Sequence, residues 1–73
     1  MDLNAIGLAI KTRRAELGVN QRTISELAGV AVNTLVAIER GEGNPRTATL
    51  IDILDTLGLQ LDVKPKMMEY ETM

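Results

Sequence analysis

The sequence predicts a mainly all-α domain of four helices, followed by one short C-terminal strand that pairs across a dimer. Three observations lead there. Apolar residues recur three and four apart through most of the chain, as one buried face of a helix requires. Gly18, Gly29 and Gly58 fall just past such segments, where helices end. One stretch alone, LQLDVK at 59–64, alternates apolar and polar residues strictly, as a half-buried strand does.

The first helix spans 3–17, with Leu3, Ile6, Ile10 and Leu17 at helical spacing and Gly18 as its terminal glycine. Gly7 weakens it by roughly 1 kcal/mol relative to Ala, and close packing against a neighbour is a reason for a glycine there. Asn20 is a suitable N-cap for the second helix, which ends at the tight turn on Gly29. Ile24 and Ala28 share one face of it, and Val30 follows the turn. Ser25 falls where two helices approach most closely. The third helix runs about 32–40 and turns Leu35 and Ile38 inward. Its N-cap position holds Ala31, which forgoes a cap worth about 1 kcal/mol.

Residues 42–46 form a loop in which Pro45 stops helical propagation. Thr47 is expected to cap the fourth helix, which reaches about Leu57 and closes on Gly58. Leu50, Ile53, Leu54 and Leu57 make its apolar stripe, while Asp52, Asp55 and Thr56 face out. Ile51 lies off the stripe and is a candidate dimer contact. A lone strand at 59–64 cannot satisfy its own backbone groups. Its partner is therefore expected from a second copy, with Leu59, Leu61 and Val63 covering the fourth helices about a twofold axis. Residues 1–64 make one domain with its dimerisation strand, and 65–73 a tail that is either mobile or a docking segment for a partner.

Composition narrows the chemistry. Seventy-three residues lie near the lower limit for folding without staples, and with no Cys none of these is a disulfide. Apolar residues reach 45% with no Phe or Trp, so the core must be aliphatic. The absence of His and Cys rules out common zinc sites, Ser-His-Asp triads and Cys nucleophiles. No glycine-rich phosphate loop is present, since Gly41 and Gly43 flank Glu42, which repels phosphate. The expectation is a non-enzyme without cofactor or metal. No apolar run approaches membrane-spanning length, and Asp2 stands where a secretory signal would carry basic residues. A reducing cytoplasm is the expected setting. Net charge is −2, divided as +1 over residues 1–46 and −3 over 47–73.

The stretch from Asn20 to Gly41, NQRTISELAGVAVNTLVAIERG, resembles the helix-turn-helix of the phage repressor, Cro and XRE family. The likeness runs ungapped through G-V-N-Q, E-L-A-G-V and I-E-R-G and covers residues 3 to 58. It implies a four-helix, lambda-repressor-like fold whose third helix enters the major groove of double-stranded DNA. By position Val32, Asn33, Val36 and Ala37 then face base edges. Asn33 suits adenine, and the valine methyls suit thymine methyl groups. Asn20, Gln21, Arg22 and Arg40 are expected at phosphates. Lys11 and Arg13 either join them or form a solvated basic helix end. Arg14 is expected to pair with Glu39, the acid of I-E-R-G, and to tie the first helix to the third.

LGLQLDVKPK beyond this region resembles the C-terminal strand of HipB-type antitoxins. That likeness implies a homodimer on a palindromic operator that represses its own operon, with a HipA-type kinase toxin as partner, in a bacterial cytoplasm at the nucleoid. Two other readings stand beside it. One is a stand-alone XRE or Cro-type regulator. The other is a protein-interaction module that has lost DNA binding, with Val32 and Val36 as its docking face.

Overall fold

The computed structural model describes residues 2–63 and 65. Four α-helices follow in order among them: α1 (Leu3–Leu17), α2 (Gln21–Ala28), α3 (Val32–Glu39) and α4 (Thr47–Thr56). Helix α3 packs against α1 and α2, and α2 also packs against α4. All four feed one aliphatic core of Ile10, Ile24, Leu35, Ile38, Leu50, Ile53, Leu54 and Leu57. Ile6, Val19, Ala28, Val30, Leu59 and Leu61 pack around its edge. Ser25 is buried as expected, and its hydroxyl donates to the Arg22 carbonyl at 2.8 Å, so the small side chain carries no unmet polar group. Leu17 departs from expectation and is 49% exposed. It shares the face of Ile10 but lies about 10 Å further along the axis, past the edge of the core.

Helix starts follow the local chemistry in two cases and not in two. Asn20 Oδ1 accepts from the Thr23 N–H at 2.8 Å. Asp2 Oδ1 does the same for α1, accepting from the Asn4 N–H at 2.9 Å. Ala31 gives α3 no side-chain cap. Thr47 does not cap α4 either, contrary to the sequence reading. The Leu50 N–H that a Thr47 cap would take is already bonded to the Arg46 carbonyl at 3.1 Å. Arg46 is therefore the N-cap residue, without a side-chain cap bond, and Thr47 lies inside the first turn.

Between α2 and α3 the chain turns at Gly29, whose φ of 73° is open to glycine at little cost. The Val30 N–H closes α2 on the Ser25 carbonyl at 2.9 Å. Past α4, the Leu59 N–H likewise closes on the Leu54 carbonyl at 2.8 Å. Residues 59–63 then run on without strand structure, and no strand occurs among the described residues. The expected strand needs a second copy, and one chain holds no partner for its backbone. Leu59 and Leu61 turn instead onto the edge of their own core, beside Ala5, Ile6, Ala9 and Leu54. Val63 is 93% exposed. Lys64 at the end of the expected strand, and residues 66–73 of the expected tail, lie outside the described residues. No described helix is long and apolar enough to cross a membrane.

Gly7 shows why a glycine interrupts α1. It is buried where α1 crosses the end of α3. A Cβ there would strike the Ile38 carbonyl oxygen and lie 2.9 Å from that of Glu39. Backbone oxygens held in a helix cannot move aside as a flexible side chain can. Gly7→Ala would stabilise a free-standing helix by about 1 kcal/mol, yet here it is expected to destabilise the protein by roughly 1–3 kcal/mol. Urea denaturation checks the sign: a lowered midpoint is expected, and a raised one contradicts the close approach.

Candidate nucleic-acid interface

The outward stripe of α3 follows from its inward one. Leu35 and Ile38 point into the core, so Asn33, Val36, Ala37 and Arg40, spaced at helical intervals, fall on the opposite side. Asn33 and Arg40 are exposed, and Val32, Val36 and Ala37 are partly so. Neither Asn33 nor Arg40 makes a side-chain hydrogen bond or ion pair among the described residues. The stripe thus offers a free amide, a free guanidinium and small apolar groups on one convex face.

What holds this face in place is an ion pair beneath it. Arg14 Nε donates to Glu39 Oε2 at 2.7 Å, and Arg14 Nη2 to Oε1 at 2.9 Å. This is the two-pronged geometry that makes guanidinium–carboxylate pairs strong. Arg14 Nη1 donates to the Val19 carbonyl at 2.9 Å, and Gln21 Nε2 to Glu39 Oε1 at 3.1 Å. One carboxylate therefore joins α1, α2 and α3. Only 4% of the Glu39 side chain and 17% of that of Arg14 reach solvent. Burial, the largest influence on Glu39, disfavours its charge. Hydrogen bonds from Arg14 and Gln21 and the charges of Arg14 and Lys11 outweigh it, and the carboxyl is held below the usual carboxylate range. The hydrogen bond to Glu39, and secondarily its charge, raise Arg14 against the opposing effect of burial.

The remaining candidates divide around the stripe. Lys11, Gln21 and Arg40 line one recess together with Arg14, Val36 and Glu39, which brings three expected phosphate contacts to one flank of α3. Gln21 divides its role, since part of its amide is given to Glu39. Asn20 spends its side-chain oxygen on capping, and Arg22 is exposed on the first turn of α2. Arg13 is placed elsewhere. Its Nε donates to the Leu57 carbonyl at 3.0 Å, where α4 ends, and its Nη1 lies 3.7 Å from Glu16. A cation at a helix C-terminus suits both the unpaired carbonyls and the dipole.

On the other flank, Asn33 and Ala37 share a recess with Thr34, Ile38 and the loop from Glu42 to Pro45. Thr34 is exposed next to Asn33 and was not among the expected contacts. Its place beside the stripe was available from the spacing to Leu35 and Ile38, but only the loop position shows that it borders a recess. The expected dimer residues differ in exposure. Leu59 and Leu61 are half-buried at the core edge, while Ile51 and Val63 are exposed.

The ion pair sets a pH dependence. Because Glu39 is depressed on folding, the pair contributes its full stabilisation above the ordinary glutamate range and loses it as pH falls through the lower folded value. Near neutral pH, Glu39→Gln leaves Arg14 mostly buried without its counter-charge, an expected loss of roughly 3 kcal/mol or more. Below the lower folded value the native carboxyl is protonated as well, so the gap between wild type and variant is expected to narrow as pH falls toward it. Urea midpoints in a series from about pH 7 downward test this; a gap that does not narrow as pH falls contradicts it.

Comparison with known proteins agrees with this geometry. A profile described as helix-turn-helix matches residues 10–64, a span that takes in α2, α3 and α4 entire. A relative from Haemophilus influenzae, described as an uncharacterized HTH-type transcriptional regulator, is 37% identical over 54 residues. The alignment covers 74% of this chain and 55% of the relative, so the chain spans about half the length of the curated relative it matches. With the profile covering most of its length and the turn at Gly29 seated between α2 and α3, the protein belongs to the XRE-type helix-turn-helix family.

Proposed function

We propose that the protein is a sequence-specific DNA-binding transcriptional regulator that represses its own promoter region. The observation that carries this is the α3 stripe. Asn33 presents an uncommitted amide beside the methyl-bearing Val36 and Ala37, with Arg40 at the end of the row and Lys11 and Gln21 on its flank. An amide can bond both N6 and N7 of adenine, and apolar groups can pack on thymine methyls, so the face favours A·T-containing sites. The name of the Haemophilus relative points the same way. A pure protein-docking face is a poorer account, since it would leave the polar Asn33 and Arg40, at the two ends of the stripe, without a role.

The reading includes a twofold dimer on a palindromic operator, in which two copies of α3 enter successive major grooves. The apolar edge formed by Leu59, Leu61, Ala5, Ile6 and Ala9, and the exposed Ile51 and Val63, support a second copy there. The likeness to HipB-type antitoxins rests on the 57–66 segment. Neither the helix-turn-helix profile nor the Haemophilus relative adds a toxin, and a stand-alone regulator accords with both.

Fluorescence anisotropy tests this on the duplex just upstream of the coding region, with a random duplex as control. Asn33→Ala is expected to weaken binding to the upstream duplex by roughly 1–3 kcal/mol and to leave the random one nearly unchanged. Equal, feeble binding of the native protein to both duplexes would sink self-regulation through this region.

A further inference from the structure

We propose that the outward face of α1 docks against a second copy of the chain, with Leu8 of each copy seated in an apolar groove of the other. The inference rests on the dimer reading above and names the contact that completes it. A helix with one face on a core normally turns polar residues to solvent on the other. Helix α1 does not. Its inner side commits Gly7, Ile10 and Arg14 to the core and to α3. Its outer side carries Ala5, Leu8, Ala9 and Ala15, all exposed, with Thr12 among them. Leu8 is 63% exposed, and Ala5 three residues before it and Thr12 four after share its face. The other apolar side chains of this stripe are alanines, so Leu8 projects from it.

Beside this projection lies a groove that fits it. Ala5 and Ala9, on the flank of Leu8, line the groove together with Ile6, Leu54, Leu59 and Leu61. Its volume of about 270 Å³ exceeds the roughly 150 Å³ that accepts benzene in an apolar cavity, so a leucine side chain has room. A projection next to a recess is self-complementary, because a twofold axis puts each projection into the recess of the other copy. The size of the interface points to the same occupant. Two copies of the 59–63 segment alone would make a two-stranded ribbon, which is marginal by itself, whereas a stable interface takes about 800 Å² from each partner. The α1 face adjoins that segment through the groove they share, and supplies further apolar area. Ala5, Leu8, Ala9 and Thr12 carry no charge, so two identical copies meet there without repulsion. Ala5 and Ala9 each lie two residues from Gly7, about half a turn round the helix. Since Gly7 faces α3, a copy docked on them leaves the α3 stripe open.

Sedimentation velocity over a concentration series tests this on the full chain with Leu8→Glu, Leu8→Ala and Leu27→Glu. Leu27 is the control, a leucine of α2 that is 69% exposed and lies outside the proposed face. The native protein is expected to dimerise. Leu8→Glu is expected to raise the dimer dissociation constant by roughly tenfold or more, as the loss of an interface anchor does. Leu8→Ala is expected to raise it severalfold, and Leu27→Glu to leave it unchanged. Circular dichroism at a dilution where every variant is monomeric checks that native helix content is kept. The native constant in both Leu8 variants would overturn the proposal and leave the dimer reading standing. Equal weakening in Leu27→Glu would overturn it too, because the effect would then not belong to α1. If the charge in Leu8→Glu costs helix content, Leu8→Ala decides, and a native constant there overturns the proposal. A native protein that stays monomeric at every concentration, free and on the upstream duplex, would remove the dimer reading and the proposal together.

Discussion

The orientation of α3 depends on one buried carboxylate. Glu39 sits at the last position of α3 and takes three hydrogen bonds, two from Arg14 on α1 and one from Gln21 on α2. An uncompensated charge in that place would be costly, so the three helices are held to the one arrangement that satisfies it. Gly7 makes the arrangement sterically attainable, because only a residue without Cβ lets α1 approach the backbone of Ile38 and Glu39 so closely. The two features act on the same helix end. Glu39 supplies the attraction and Gly7 the space.

On this anchored frame the outer face of α3 is left free of internal duties. The aliphatic core takes Leu35 and Ile38, the ion pair takes Glu39, and what remains outside is Asn33, Val36, Ala37 and Arg40. A rigid helix presenting uncommitted polar groups is what base readout needs, since side chains already engaged elsewhere would have to break bonds before binding. The same economy separates the arginines. Arg14 and Arg13 are committed to Glu39 and to the Leu57 carbonyl, whereas Arg22, Arg40 and Arg46 are exposed. Net charge conceals this division, because the acids Asp52, Asp55 and Asp62 lie in the C-terminal part, away from α3 in sequence.

The weak points of the fold lie at two helix starts. Helices α3 and α4 both start without a side-chain cap, at Ala31 and Arg46, while α1 and α2 start on Asp2 and Asn20 with theirs. Each missing cap costs about 1 kcal/mol in a protein too small to have much to spare.

Short-range physics was legible in the amino-acid sequence by itself. Spacings of three and four marked four helices and most of their buried residues, Asn20 declared a cap, and Gly29 declared the turn. Likeness to the family added the Arg14–Glu39 pair and the outward residues of α3. Tertiary structure alone decided what depends on how helices cross. It sends Arg13 to a carbonyl forty-four positions away, divides Gln21 between its helix start and Glu39, and leaves Leu17 beyond the core. It also hands the start of α4 to Arg46 in place of Thr47. The expected strand at 59–64 marks the same boundary, because a strand is a property of two segments and one chain supplies a single one. Periodicity reports which face of an element is buried; the partner that buries it is set by the packing of residues far apart in sequence.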